Sequence, residues 1–242
     1  MAKNIIHNTD SIPYFRELYQ SGESHSEKII VTDPPYNVGY KYETYKDKMS
    51  ESDYILFLNQ RLKNITRKVI IHYPEQTINI LPKAFNGQEC EFIVTWTYST
   101  RIGKQSRLIS WWGCKPDLTK VKVPYAEATL KDPRNQHKLK DGRSLSDHWL
   151  VDFPETENNW HIPYVNNMNK EKIIFGKYNC PQIPEEVMRR IILTTCKEGD
   201  LIIDPFSGTG TTSKVAKDLG FGSVAFEIGK ETYQKSLERL NG

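Results

Sequence analysis

The densest chemistry in the chain stands at Asp33-Pro34-Pro35-Tyr36. These residues follow an apolar run, Ile29-Ile30-Val31, that reads as a short buried strand. Neither proline can donate to a sheet ladder, so the strand stops there. A carboxylate and an aromatic ring are left beside a stiff turn at a strand's carboxyl end, where open α/β sheets bind ligands. The set suits a flat aromatic group that bears an amine. Asp33 can accept hydrogen bonds from the amine, the Pro34 carbonyl can accept another, and Tyr36 can stack on the ring. A nucleobase has this form. Taken alone, the same four residues also fit a strand-end turn with a capping Asp.

A second stretch, Asp204-Pro205-Phe206-Ser207-Gly208-Thr209-Gly210-Thr211-Thr212, joins an expected strand to an expected helix. Its glycines permit positive φ and a close backbone approach to a ligand. The helix N-terminus that follows offers free N–H groups to an anionic group. A phosphate loop would need lysine where Thr211 stands, and a dinucleotide fingerprint would need a third glycine where Ser213 stands. The ligand is therefore expected to carry a carboxylate and no phosphates. Glu227 ends the next strand, 17 positions after Gly210. That is close to the ~20-residue spacing at which a carboxylate grips ribose hydroxyls. A nucleoside with an amino-acid tail satisfies both features, and S-adenosylmethionine is such a molecule.

The elements that must position these loops alternate. Strands are expected over residues 4–9, 28–32, 68–73, 91–97, 107–112, 201–203 and 223–226, and helices over 13–19, 54–66, 75–81, 211–219 and 230–240, with another opening at Pro184. Alternation implies an α/β fold with a mostly parallel sheet covered on both faces. Residues 37–52 are polar and tyrosine-rich, and read as a loop over the site. From Gly113 to Asn169 the periodicity fades, and the expected division is a domain of residues 1–112 and 170–242 with 113–169 inserted.

Composition sets further bounds. The 242 residues are 38% hydrophobic and 26% charged, which allows one large core. The N-terminus shows no apolar leader and no run reaches membrane-spanning length, so a cytoplasmic protein without a membrane partner is expected. Four scattered cysteines and six histidines show no metal-ligand spacing, so no metal is expected. Between Arg101 and His148 there are 11 Lys and Arg against 5 Asp and Glu, whereas the whole chain carries only +3. Concentrated positive charge points to a polyanion partner.

The two motifs together resemble the DNA amino-methyltransferases, which act on adenine N6 or cytosine N4. The catalytic motif of that family is [DNS]-P-P-[YF], matched by Asp33 to Tyr36, and its cofactor motif is often D-P-F-x-G-x-G-T-T, matched by Asp204 to Thr212. Their order along the chain is similar to that of the β class. Asp10, at the end of the first strand, resembles the family's opening acidic residue, and Gln182 with Pro184-Glu185 resembles its cofactor-proximal segment. Ile183 stands where members often carry a lysine, which would leave the methionine carboxylate to helix N–H groups or to Thr211.

The resemblance implies a Rossmann-like, doubly wound sheet in circularly permuted methyltransferase order with an inserted target-recognition region. It implies S-adenosylmethionine as cofactor, with Asp10, Asp33, Gln182, residues 204–212 and Glu227 around it, and Asp33, Pro34, Pro35 and Tyr36 on a flipped-out base. The implied partner is double-stranded DNA, with a homodimer and a cognate restriction endonuclease as further expectations. The implied DNA contacts are Arg101, Lys104, Arg107, Lys120, Lys122, Arg134, Lys138, Lys140 and Arg143. Asp in the first motif position favours adenine N6. Cytosine N4, or a catalytically silent DNA-binding homologue, are the alternatives.

Overall fold

The computed structural model describes residues 3–22, 25–98, 106–123, 125, 131–135, 142–149, 172–173 and 180–242. In chain order the elements are β1 (Asn4–His7), α1 (Ile12–Gln20), β2 (Lys28–Thr32), α2 (Glu51–Leu62), β3 (Lys68–His72), α3 (Pro74–Asn79), α4 (Leu81–Ala84), β4 (Cys90–Thr97) and β5 (Ser106–Trp112). The chain continues through β6 (Lys122–Val123), β7 (Arg143–Ser144), β8 (His148–Trp149), α5 (Glu185–Thr195), β9 (Leu201–Asp204), α6 (Thr211–Asp218), β10 (Gly222–Phe226) and α7 (Lys230–Asn241). Eight strands form one sheet in the order β1-β10-β9-β2-β3-β5-β4-β8. The pairs from β1 through β3 are parallel, and β5 runs antiparallel to both neighbours. This is the expected α/β fold.

The central strands are apolar on both faces because both faces are covered. Alternate side chains of a strand point to opposite sides. Ile29 and Val31 of β2 and Val69 and Ile71 of β3 enter one core with Val187, Ile191 and Val215 of α5 and α6. Ile30 and Ile70 enter the other with Phe15, Leu58 and Leu62 of α1 and α2. The helices are cut where local chemistry cuts them. Ser50 caps α2 by accepting from Asp53 N, and Pro74 and Pro82 each sit in the first turn of a short helix. The expected helix over 75–81 is thus two short ones.

Part of the expected insertion meets the main sheet. Strand β8 adds to that sheet, parallel to β4, with Trp149 opposite Trp96. Val123, Leu145 and Trp149 lie buried in the same core as β2 and β3. Among the described residues β6 and β7 form a second, two-stranded sheet. This part of the chain escapes periodicity because strands of two residues leave no period to read.

Trp149 gives this placement a test. Trp149→Ala is expected to destabilise the chain by about 3–5 kcal/mol, as deletion of a core aromatic does. Urea unfolding measures it. A loss below about 0.5 kcal/mol, typical of surface positions, would place Trp149 outside the core.

Candidate active site

Strands β2 and β9 lie side by side, with Ile30 in register with Ile203. From β9 the chain winds through α6 to β10 on one side, and from β2 through α2 to β3 on the other. The crevice beyond their carboxyl ends is the topological switch point of the sheet. Both motifs emerge there. Thr32 Oγ1 donates to Asp204 Oδ1 at 2.6 Å, which ties the two strand ends together inside the protein. Phe206 N donates to the same oxygen at 3.1 Å and turns the chain into the glycine loop.

The glycine loop is held from below by Glu227, at the end of β10. Its carboxylate accepts from Gly208 N at 3.0 Å and from Gly229 N at 2.7 Å. Burial pushes the Glu227 carboxyl up to about 7, against those two hydrogen bonds. Gly208 and Gly210 both have positive φ, at 50° and 73°. A Cβ on Gly210 would lie 2.9 Å from Ser236 Cβ, so this glycine serves the close packing of α6 on α7. A Cβ on Gly208 would meet Cys180 Sγ at 3.4 Å and the Phe206 carbonyl at 4.0 Å.

One cavity joins the two motifs. Asp10, Asp33, Pro35, Asp204, Pro205, Phe206, Ser207, Gly208, Thr209, Thr211, Thr212 and Glu227 line it, as expected of a shared site. Pro34, Tyr36, Gly210 and Gln182 do not. Gln182 is buried with its carbonyl oxygen accepting from Ile173 N at 3.1 Å, whereas its neighbours Pro181 and Ile183 reach the cavity. Thr211 cannot readily replace the missing lysine. Its hydroxyl donates to the Ile183 carbonyl at 3.3 Å and accepts from Arg239 at 2.8 Å, so both roles are taken. Asp10 accepts from Ile12 N at 2.8 Å and pairs with Arg61 at 2.6 Å.

The polar loop after β2 forms one wall. Asp47 is buried and accepts from the backbone N–H groups of Asn37, Val38 and Tyr40. Asn37 clasps Met49 through both its amide atoms. Glu43, at the loop's far end, accepts from Glu231 N at 3.2 Å at the N-terminus of α7, where the helix dipole favours a carboxylate. Tyr42, Glu43 and Tyr45 of this loop join the cavity wall, beside Phe57 and Arg61 of α2. Sequence reasoning missed them because nothing local pairs a loop with a helix nearly 190 residues away.

At the catalytic motif, Tyr36 donates its hydroxyl to Asp33, and its ring lies tilted on Tyr73 with centroids 4.6 Å apart. Burial raises the Asp33 carboxyl to about 6, opposed by the charge of Arg107 and by the Tyr36 hydroxyl. Arg107, one of the expected DNA contacts, is half-buried beside the motif, 3.6 Å from Asp33 Oδ2. The reason is register: in β5 it stands opposite Trp96, which turns its side chain inward over the strand ends. Of the other candidates, Lys120, Lys122 and Arg134 are exposed and Arg143 is half-buried. Arg101, Lys104, Lys138 and Lys140 lie outside the described residues. Among the described residues no cluster of metal-ligating side chains occurs. No described helix is long and apolar enough to cross a membrane.

Known proteins are similar to this chain in sequence or in fold. The chain is 28% identical to the type II methyltransferase M.HpaI of Haemophilus parainfluenzae, over 90% of this chain and 69% of that one. It is 26% identical to the DNA adenine methyltransferase YhdJ of Escherichia coli K12, over 99% and 83%. Among solved structures, the cytosine-N4-specific PvuII DNA methyltransferase superposes with a TM-score of 0.64 at 16% identity, covering 99% of this chain and 86% of that one. M1.HpyAVI in complex with its SAM ligand gives 0.57 at 17%, covering 98% and 99%. The family model described as DNA methylase matches residues 28–238, from the start of β2 into α7 and so across both motifs, and this chain belongs to that family.

Proposed function

We propose that this DNA methylase transfers a methyl group from S-adenosylmethionine to the N6 amine of a flipped-out adenine. The observation that carries the reading is the meeting of Asp33 and the Asp204–Thr212 loop in one cavity at the switch point. The cavity's chemistry fits the cofactor. Phe206, Phe226 and Ile228 offer apolar surface to an adenine ring, Glu227 offers a carboxylate at the strand end for ribose hydroxyls, and Asp10 and Asp33 offer anions to an ammonium. Bound there, the cofactor supplies an electrophilic methyl on a sulfonium.

The protein's own residues do the rest. An adenine inside a duplex cannot reach this crevice, so the base must leave the stack. Asp33 and the Pro34 carbonyl accept from its amine, which orients the nitrogen lone pair and favours the positive charge that develops there. As a carboxylate Asp33 has more acceptor capacity for this than when protonated. Tyr36 offers its ring to the base, a motion that exchanges its present contact with Tyr73 for a stacked one. Asp in the first motif position, and the adenine specificity in the name of YhdJ, support adenine over cytosine. The type II name of M.HpaI supports site-specific modification. In this reading a cognate restriction endonuclease shares the site, and a homodimer is the expected assembly.

Asp33→Ala is expected to keep cofactor binding and to lose methyl transfer by at least about 100-fold, the scale of one preorganised electrostatic contact. Isothermal titration and a filter assay with labelled cofactor read the two separately. Full transfer in this variant would remove Asp33 from the chemistry.

Lys120 and Lys122, with Arg134 and Arg143, are proposed as phosphate contacts. DNA affinity should then fall steeply with salt, and Lys122→Ala should lower the slope by about 1 while weakening all sequences alike. A salt response unchanged by the substitution would take Lys122 off the DNA.

A further inference from the structure

We infer that Arg107 is a positioning residue of this site: it keeps Asp33 in its hydrogen-bond-accepting form and braces the Tyr36 ring beside it. The inference rests on the proposed methyl transfer at Asp33. Its guanidinium carbon lies 5.2 Å from the centre of the Tyr36 ring, 5.8 Å from Tyr73, 5.7 Å from Trp96 and 5.9 Å from Tyr98. A cation over aromatic faces is attracted by their quadrupoles, more strongly where water is excluded. Only Asp33 is within ion-pair distance of it among the described residues.

A purely structural arginine at this depth would be expected to satisfy its donors. Arg107 does not: its Nε–H is buried without an acceptor among the described residues. The contact with Asp33 is also long for a closed pair, at 3.6 Å. Tyr36 holds Asp33 Oδ1, and the guanidinium acts on Oδ2 by charge from 3.6 Å, which leaves that oxygen open to a donor from outside.

Among the described residues no other positive charge offsets Asp33's burial. Around it stand Tyr36 and Tyr42 of its own loop, Tyr54 of α2, Tyr98 beyond β4, Cys180, and Asp204 at the end of β9. Burial pushes each of these tyrosines and the thiol up, so they stay neutral, and Asp204 is itself an acid. Without Arg107, burial acts on Asp33 unopposed by charge. A protonated Asp33 would lose acceptor capacity toward the amine.

The test is a carbon-13 NMR titration of the Asp33 carboxyl in the full chain, free of DNA and cofactor. It compares wild type with Arg107→Met, Arg107→Gln and Arg107→Lys. The two neutral variants should move the midpoint upward by about one to three pH units, the usual effect of one nearby opposite charge. Lysine should return it toward wild type. The acid limb of kcat/KM, which reports the free enzyme, should move upward with the midpoint. This titration needs no methylation, so its failure is distinct from failure of the proposed reaction. Two neutral variants guard against one that does not fold. A folded neutral variant whose Asp33 titrates as in wild type overturns the inference, as does an acid limb that stays still while the midpoint moves.

Discussion

The hydrogen bond from Thr32 to Asp204 is the contact on which the site depends. It joins the ends of β2 and β9 across 172 positions of sequence, just beyond their last ladder pair, Ile30 with Ile203. The bond is costly to dispense with. Asp204 is fully enclosed, burial raises its carboxyl, and the hydrogen bonds from Thr212, Thr32 and Phe206 N lower it again. A hydrogen bond to a charged group is worth about 1.5–3 kcal/mol, and a buried carboxylate left short of donors costs comparable free energy. The arrangement therefore has one low-energy geometry. With it, Asp33 and Gly208 face a common cavity, and without it each would be an ordinary strand-end turn.

The same economy of placement explains the acidic character of the crevice. Asp10, Asp33, Asp204 and Glu227 converge on one cavity, and such convergence is unfavourable unless each is compensated. The structure compensates each differently. Asp10 has Arg61, Asp204 has hydroxyl and backbone donors, Glu227 has two backbone N–H groups, and Asp33 has a more distant guanidinium. Asp33 also accepts from the Tyr36 hydroxyl, and its contact with the guanidinium is the longest of these.

What was legible in the sequence follows from the range of the interactions involved. Strands β2, β3 and β9 declare themselves because burial on both faces demands unbroken apolar runs, and the two motifs declare themselves because proline and glycine act within a few residues. Their meeting needed the resemblance, since no local signal relates Asp33 to Asp204. Arg107 joins the expected DNA contacts through the charge of its segment. Its place as the first residue of an expected strand carries a further signal, because strand register decides which side chains turn inward. Gly210 and Gln182 are expected at the cofactor by motif position; Gly210 also packs on Ser236 of α7, and Gln182 accepts from the Ile173 N–H. The wall formed by Tyr42, Glu43 and Tyr45 and the core role of Trp149 both arise from contacts distant in sequence, which composition cannot register.

The central claim is that this crevice methylates the amine of adenine. The most direct measurement is to incubate the chain with methyl-labelled S-adenosylmethionine and mixed-sequence duplex DNA, digest the DNA to nucleosides, and separate them. Label in N6-methyldeoxyadenosine is the expected result. Label confined to N4-methyldeoxycytidine would keep the fold and the roles of Asp33 and Tyr36 but contradict the base. No label, beside an active control enzyme, would contradict the reaction itself.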